Sequence, residues 1–384
     1  MLKPVTSLYV HVPFCASKCS YCAFYSHASD GGTVNRYVDA LVRELEMVAD
    51  DLEPTTIFFG GGTPSILNLR QWERVLQAMD RLGLTGADEW TVECNPATLS
   101  LEKAKLLRDG GVNRISMGVQ SLNADLLERL GRVHSRAMVF KSYDNLRAAG
   151  FERINLDLMF AIPSQTIEVW LSTLRETVEL EPEHLSCYEV IYEQDTPLYE
   201  QLQAGEFDVQ EDLACDMFEA LTEFAGEHGF HQYEVANFAR HTGTPEFEIP
   251  SEACRHNVNY WRGGDYHGLG PGATGYVRGV RTTNIANTQS YCELVEKGER
   301  AICLEEELIS LKRAGETAAF GLRMNAGWPF AEFQRKTGFD LRDEWGEEME
   351  RLMEQGNAII ESNHFRLTPQ GLRFADAAAS SFLR

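Results

Sequence analysis

Cys15, Cys19 and Cys22 stand in the spacing CxxxCxxC close to the start of the chain. Three thiolates on one short loop can hold three irons of a cubane 4Fe-4S cluster. Such clusters normally take four cysteines, so the fourth iron is left open to another ligand. A zinc site would show two CxxC pairs, or a CxxC followed by paired histidines, and neither occurs. The bland alternative, three unrelated cysteines, is disfavoured by the clustering and by the flanking Phe14 and Tyr21. A second feature is the run Gly60-Gly61-Gly62-Thr63-Pro64. Glycines let backbone come close to a ligand, and their N–H groups can bind a carboxylate or hydroxyl. No GK[ST] follows, so this is not a Walker A loop, and alone the run reads equally well as a tight turn. Polar residues also stand where a core would prefer apolar ones: Glu93, Asn95, Ser116, Gln120, Ser121 and Asp157. One such residue is most often a satisfied structural group, whereas several at the ends of neighbouring strands point to a shared ligand site.

The elements that must position these residues alternate. Strand-like runs at Ser7–Val12, Thr56–Phe59, Trp90–Glu93, Arg114–Val119, Ile154–Phe160 and His184–Val190 are separated by helix-period segments. Tyr37, Val38, Leu41, Val42 and Leu45 form one apolar stripe; Trp72, Val75, Leu76 and Met79 form another, stopped by Gly83. Ser135 is placed to cap a helix running to Gly150. Six βα units in a row predict an α/β fold with a parallel sheet, closed as a full or partial TIM-like barrel. A flat doubly wound sheet is the alternative, and either fold binds ligands at the carboxyl ends of its strands.

Beyond Tyr233–Phe238 the pattern changes. His241–Ser251 is polar, carries Pro245 and Pro250, and reads as a loop; Gly263–Gly275 is glycine-rich. Helices follow at Leu308–Arg323, Pro329–Thr337 and Leu341–Gln355, then a β pair, Ala358–Glu361 and His364–Leu367, and a closing helix. This order predicts a mostly helical, winged-helix-like domain. The expected division is a barrel over 1–237, a connecting region over 238–302 and a C-terminal domain over 303–384.

Composition bounds the rest. The 384 residues are 43% hydrophobic and 24% charged, ordinary for a globular protein. A formal charge of −23 offers no basic footprint for nucleic acid. Of nine cysteines, six are dispersed and the total is odd, so no disulfide framework is expected. No signal-like or membrane-spanning run is visible, and the expected setting is the cytoplasm.

Several motifs together resemble the radical S-adenosylmethionine (SAM) superfamily. They are YVHVPFCxxxCxYC at Tyr9–Cys22, GGGTPS at Gly60–Ser65, ECNP at Glu93–Pro96 and GVQS at Gly118–Ser121. LGRVHS at Leu130–Ser135 and NLDLMF at Asn155–Phe160 continue the match, in the order found in the coproporphyrinogen III dehydrogenase branch. The resemblance implies that Cys15, Cys19 and Cys22 ligate a 4Fe-4S cluster whose open iron is chelated by SAM. Tyr9, Gly61, Gly62, Thr63, Glu93, Gln120, Arg132 and Asp157 match positions that line the SAM site. Glu93 or Asp157 would take ribose hydroxyls, and Arg132 offers a rigid fork for a carboxylate. SAM cleavage to a radical would need an electron donor such as flavodoxin or ferredoxin.

Within that branch two readings compete: a coproporphyrinogen III dehydrogenase and the HemW-like heme chaperones. The dehydrogenases carry one more cysteine two positions after the triplet, where this chain has Phe24, and a long segment before the cluster. Arg255–Trp261 contains the HNxxYW motif typical of the chaperones. His256 is therefore the candidate axial ligand for heme, with Tyr260 and Trp261 packing on the porphyrin at a partly exposed site. Cys254, His241 and His267 are weaker candidates. The resemblance thus implies heme as cargo and heme-accepting proteins, such as respiratory enzymes, as partners. Peripheral contact with membrane proteins and a homodimer are compatible with it. An RNA- or protein-modifying radical SAM enzyme is a remote third reading, opposed by the acidic C-terminal part. Two departures stand out: Ala161 where glycine is usual, and the loop His241–Glu252, longer than the family pattern.

Overall fold

A computed structural model describes residues 3–28, 30–244 and 248–384; Met1, Leu2 and Pro245, on which parts of the sequence reading fall, lie outside the described residues. The six expected strands are present as β1 (Val5–Val12), β2 (Leu52–Gly61), β3 (Glu89–Cys94), β4 (Arg114–Gln120), β5 (Arg153–Phe160) and β6 (His184–Glu189). They are parallel neighbours in chain order. Consecutive order with right-handed crossovers sends every helix to one face of the sheet, which is the barrel solution and rules out the doubly wound alternative.

Three short strands extend this sheet: β7 (Phe230–Gln232), β8 (Asn237–Arg240) and β9 (His267–Leu269). β8 runs antiparallel between β6 and β7, while β9 lies parallel against β1. The sheet order β9-β1-β2-β3-β4-β5-β6-β8-β7 leaves β9 and β7 as edges, so the barrel is partial.

Alternation along the strands sets the two faces. Leu8, Val10, Ile57, Phe59, Trp90, Val92, Ile115, Met117, Ile154, Leu156 and Leu185 point outward into the core against the helices. Helix Leu69–Arg81 supplies Trp72, Val75 and Met79 to that core and begins with a capping box between Asn68 and Gln71. Ser135 does stand at the N-cap of helix Arg136–Ala148, but its side chain makes no capping bond. Ala161 has φ +56°, in the left-handed region, so the usual glycine there serves backbone conformation more than space for a methyl group.

The expected domain boundaries need correction. The connecting region is built into the barrel: β9 pairs with β1, and helix Thr288–Glu296 packs on helix Gly31–Val48. Glu44 of that helix is fully buried, accepting from Gly270 N (2.8 Å), Asn284 Nδ2 (2.9 Å) and Tyr291 Oη (2.8 Å), with Arg300 Nε at 3.3 Å. The boundary at 303 falls inside strand Ile302–Glu307, which pairs back with Val280–Asn284. The C-terminal core gathers Trp328, Phe333, Trp345, Phe365 and Phe382. Its sheet has a third strand, Trp328–Pro329, beside His364–Leu367.

Removing one partner of a buried charge network typically costs about 3–5 kcal/mol, whereas an exposed ion pair contributes about 0–1 kcal/mol. Glu44→Ala should therefore lower unfolding stability several-fold more than Glu46→Ala, which breaks only an exposed pair with Arg81. Denaturant titration of the two variants checks this.

Candidate SAM and iron–sulfur site

The inward-facing residues of the strands do not fill the barrel. They surround a cavity of about 500 Å³ that opens at the carboxyl ends of the strands and is lined by Cys15, Cys19 and Cys22. Gly61, Gly62, Thr63, Glu93, Gln120, Arg132 and Asp157 line the same cavity.

The cysteine loop is held at both ends. At its base Phe14–Cys15 pairs with His27–Ala28. Gly62 N donates to Val12 O (2.8 Å) and Thr63 N to Phe14 O (2.7 Å), so the glycine run clamps the start of the loop. A Cβ on Gly62 would meet Phe14 O at 2.6 Å, and Gly61 sits at φ +102° against the His11 ring. These contacts correct one expectation: the Gly61, Gly62 and Thr63 N–H groups are already engaged, Gly61 N with Glu93 Oε2 at 3.2 Å. The run can meet a ligand's amino group only through carbonyl oxygens. On the far side of the loop, Ser20 N donates to Leu130 O (3.1 Å) and Ser20 Oγ to Arg129 O (2.8 Å). Gly131, at φ +68°, lets the loop pass.

The donors fit a cluster. All three cysteines are free and partly exposed to the cavity, and burial pushes the Cys22 thiol up. Among the described residues, no three His, Cys, Asp or Glu side chains gather around a single ion. A cubane distributes its thiolates over separate irons, which suits a wider spacing. Thr63 Oγ1 lies 3.6 Å from Cys15 Sγ, and Arg132 Nη1 lies 3.4 Å from Cys19 Sγ.

The rest of the lining fits a cationic, hydroxyl-bearing ligand. Burial pushes Glu93 up to about 8, with the nearby Asp157 adding repulsion and the Gly61 N–H opposing it. Asp157 is raised chiefly by burial and is held by Asn155 Nδ2 (2.6 Å) and Ser116 Oγ (3.1 Å). A sulfonium would relieve this pair, and ribose hydroxyls would satisfy it. Arg132 Nη2 donates to Gly118 O (2.5 Å), while its buried Nε–H has no partner among the described residues. Gln120 adopts φ +63° beside a break in the β4–β5 register, the kind of strained backbone found at ligand sites.

Tyr9 stands behind the cavity wall. Its hydroxyl meets His11 Nδ1 at 3.0 Å and its ring stacks, with centroids 6.3 Å apart, on Phe58, which lines the cavity. Phe58, Arg114, Ser116, Ser186 and Asn257 line the cavity instead, and sequence reading missed Phe58, Arg114, Ser186 and Asn257. The signal that could have found all but Asn257 was the two-residue period itself.

His256 lies elsewhere. Helix Arg255–Trp261 closes the lower end of the barrel, its start anchored on Glu89 through Arg255 N and His256 N, both at 3.0 Å. His256 is fully buried, with Nδ1 3.0 Å from Thr56 Oγ1, Nε2 2.7 Å from Tyr260 Oη, and its ring stacked on Phe58. Burial lowers it to about 3, so the imidazole is neutral. The expected partly exposed heme site is thus not present in this conformation, because both ring nitrogens are already engaged. Cys254 is also buried, bonded to Glu89 and pushed up to about 12, which removes it as a ready thiolate. His241 and His267 do not line the cavity.

Comparison with known proteins agrees with this geometry. Residues 9–177 match the radical SAM superfamily and residues 310–374 the HemN C-terminal domain. The heme chaperone HemW of Lactococcus lactis is 34% identical over 386 aligned residues, covering 100% of this chain and 98% of its own. That of Bacillus subtilis is 34% identical over 383, covering 98% and 99%. The chain belongs to the HemW family. Coproporphyrinogen III oxidase (HemN) of Escherichia coli, a radical SAM enzyme, shares the fold: TM-score 0.84 over 99% of this chain and 90% of that one, at 22% identity.

Two predictions follow the geometry of this family member. Gly62→Ala should lower iron and sulfide content after anaerobic reconstitution while leaving the far-ultraviolet circular dichroism unchanged, since the methyl displaces the loop and not the sheet. Glu93 binds a proton in the folded ligand-free chain up to about pH 8, but unfolded only up to its ordinary 4.5. Ligand-free stability must then fall as pH rises between those values. Glu93→Gln should be more stable than the parent by a margin that grows from about pH 5 to about pH 8 and then levels off, measured by thermal unfolding.

Proposed function

We propose that this chain is a heme chaperone that binds heme and passes it to acceptor proteins, carrying a SAM-ligated 4Fe-4S cluster at Cys15, Cys19 and Cys22. The observation that carries the reading is the end-to-end likeness to heme chaperones, together with the HNxxYW motif at His256–Trp261. Phe24, 69% exposed at the cavity mouth, stands where the dehydrogenases carry a further cysteine, so coproporphyrinogen decarboxylation is not expected.

SAM would lie across the strand ends, its amino acid end toward the cysteine loop and its ribose toward Glu93 and Asp157. When bound, cluster and cofactor supply radical chemistry; the residues here orient the cofactor and shield it from water. Reduction would come from a donor such as flavodoxin or ferredoxin. The acceptors would be heme-requiring proteins such as respiratory enzymes, reached from the cytoplasm. No described helix is long and apolar enough to cross a membrane.

His256 is the proposed axial ligand, on one condition set by the structure. Helix Arg255–Trp261 must leave the barrel floor, releasing Thr56 and Tyr260, before an imidazole nitrogen can reach iron. A neutral imidazole is ready to ligate once exposed.

The reading is tested on the anaerobically reconstituted protein. Heme titration should give a saturable Soret band, His256→Ala should reduce loading and shift that band with iron–sulfur content unchanged, and coproporphyrinogen III should not be decarboxylated. Unchanged heme binding by His256→Ala removes the ligand assignment. Enzyme-like decarboxylation removes the chaperone reading.

A further inference from the structure

The cavity rim carries apolar side chains that none of the described residues covers. Tyr188 and Ile191, at and just beyond the end of β6, are 42% and 67% exposed, and Val209 is 44% exposed. Tyr188 and Ile191 line the mouth above the cysteines; Val209 lines a shallow groove beside it, and Glu189 borders both. Single exposed apolar residues are ordinary, but several beside one opening and bordered by charge mark an interaction surface.

Along the stretch of chain that carries these residues the charge has one sign, with Lys18 and Arg132 on the opposite side of the mouth. No Lys or Arg stands between Arg175 and Arg240. Within that stretch Glu189, Glu193, Asp195, Asp208, Glu211 and Asp212 are all exposed. Among the described residues none of the six joins an ion pair, although arginine–carboxylate pairs recur over the rest of the surface. Glu189 is raised by partial burial and by its neighbour Glu211. Such a field favours encounter with a cation and rejects an anion.

We propose that this acidic, apolar rim is the docking surface for a cationic, amphipathic segment of a partner protein, seated over the mouth of the cavity. A second copy of this chain, at −23, would meet repulsion there. So would an anionic membrane or the propionates of a porphyrin. The proposal concerns protein contact and does not depend on where heme is held.

The probe is a fluorescent synthetic helix with lysine on one side and leucine and phenylalanine on the other, titrated into the full chain at physiological salt. Neutralising the rim with Glu189→Gln, Glu193→Gln, Asp208→Asn and Glu211→Gln together should weaken binding about tenfold or more. A control with the same charge change at distant exposed acids, Glu152→Gln, Glu347→Gln, Glu350→Gln and Glu354→Gln, should change it by less than about twofold. Ile191→Ser with Val209→Ser should also weaken binding, and bound probe should slow alkylation of Cys15, Cys19 and Cys22 in the cluster-free chain. Equal loss in rim and control variants would reduce the effect to net charge and overturn the proposal. So would unaltered binding by the Ile191→Ser, Val209→Ser variant, or unaltered alkylation.

Discussion

Everything at the site depends on the two-residue alternation of six parallel strands, which drives apolar side chains outward and leaves polar ones facing a hollow interior. Most closed βα barrels fill their centre with branched apolar residues. Here the outward faces carry Trp90, Val92, Met117 and Leu156 into a continuous core with the helices, so the interior need not supply stability. It is free to hold Ser116, Asn155, Asp157, His184 and Ser186 in one hydrogen-bonded network, with Glu93 beside it bonded to Gly61 N. Polar groups in such a place are costly unless paired, and the pairs Asn155–His184 (2.6 Å) and Asn155–Ser116 (2.7 Å) satisfy them.

The network leaves selected groups wanting. Glu93 and Asp157 repel each other, and the buried Arg132 Nε–H finds no acceptor among the described residues. Two buried carboxylates beside an arginine fork describe a receptor for a ligand that brings both a cation and a carboxylate, as an amino acid sulfonium does. The cysteine loop closes over this receptor because Gly62 and Gly131 allow backbone to pass where a side chain would collide. Binding and cluster assembly thus share one piece of backbone.

Much of this was readable from residue order. The six strands and the amphipathic stripes of helices Gly31–Val48 and Leu69–Arg81 follow from periodicity, and the cysteine spacing stands out unaided. Other features were not legible, for physical reasons. β9 is three residues within a glycine-rich stretch, and its pairing with β1 spans most of the chain. Trp328–Pro329 is two residues long and reads as a helix entrance. Asn257 sits in a helix far along the chain from the strands, so only folding brings it to the cavity. The burial of His256 cannot be read from its motif, because it follows from where the helix lands on Glu89. Tyr9 matched a binding position by pattern, yet its ring stacks on Phe58 and does not line the cavity.

The most direct test of the account is electron paramagnetic resonance of the anaerobically reconstituted, reduced protein, recorded before and after SAM is added. An open iron facing Glu93, Arg132 and Asp157 predicts a cluster signal whose shape changes on SAM addition, with the change weakened in Asp157→Ala. A signal that SAM leaves untouched at saturating concentration would contradict the account, since the three cysteines would then hold a cluster with no open site toward the cavity.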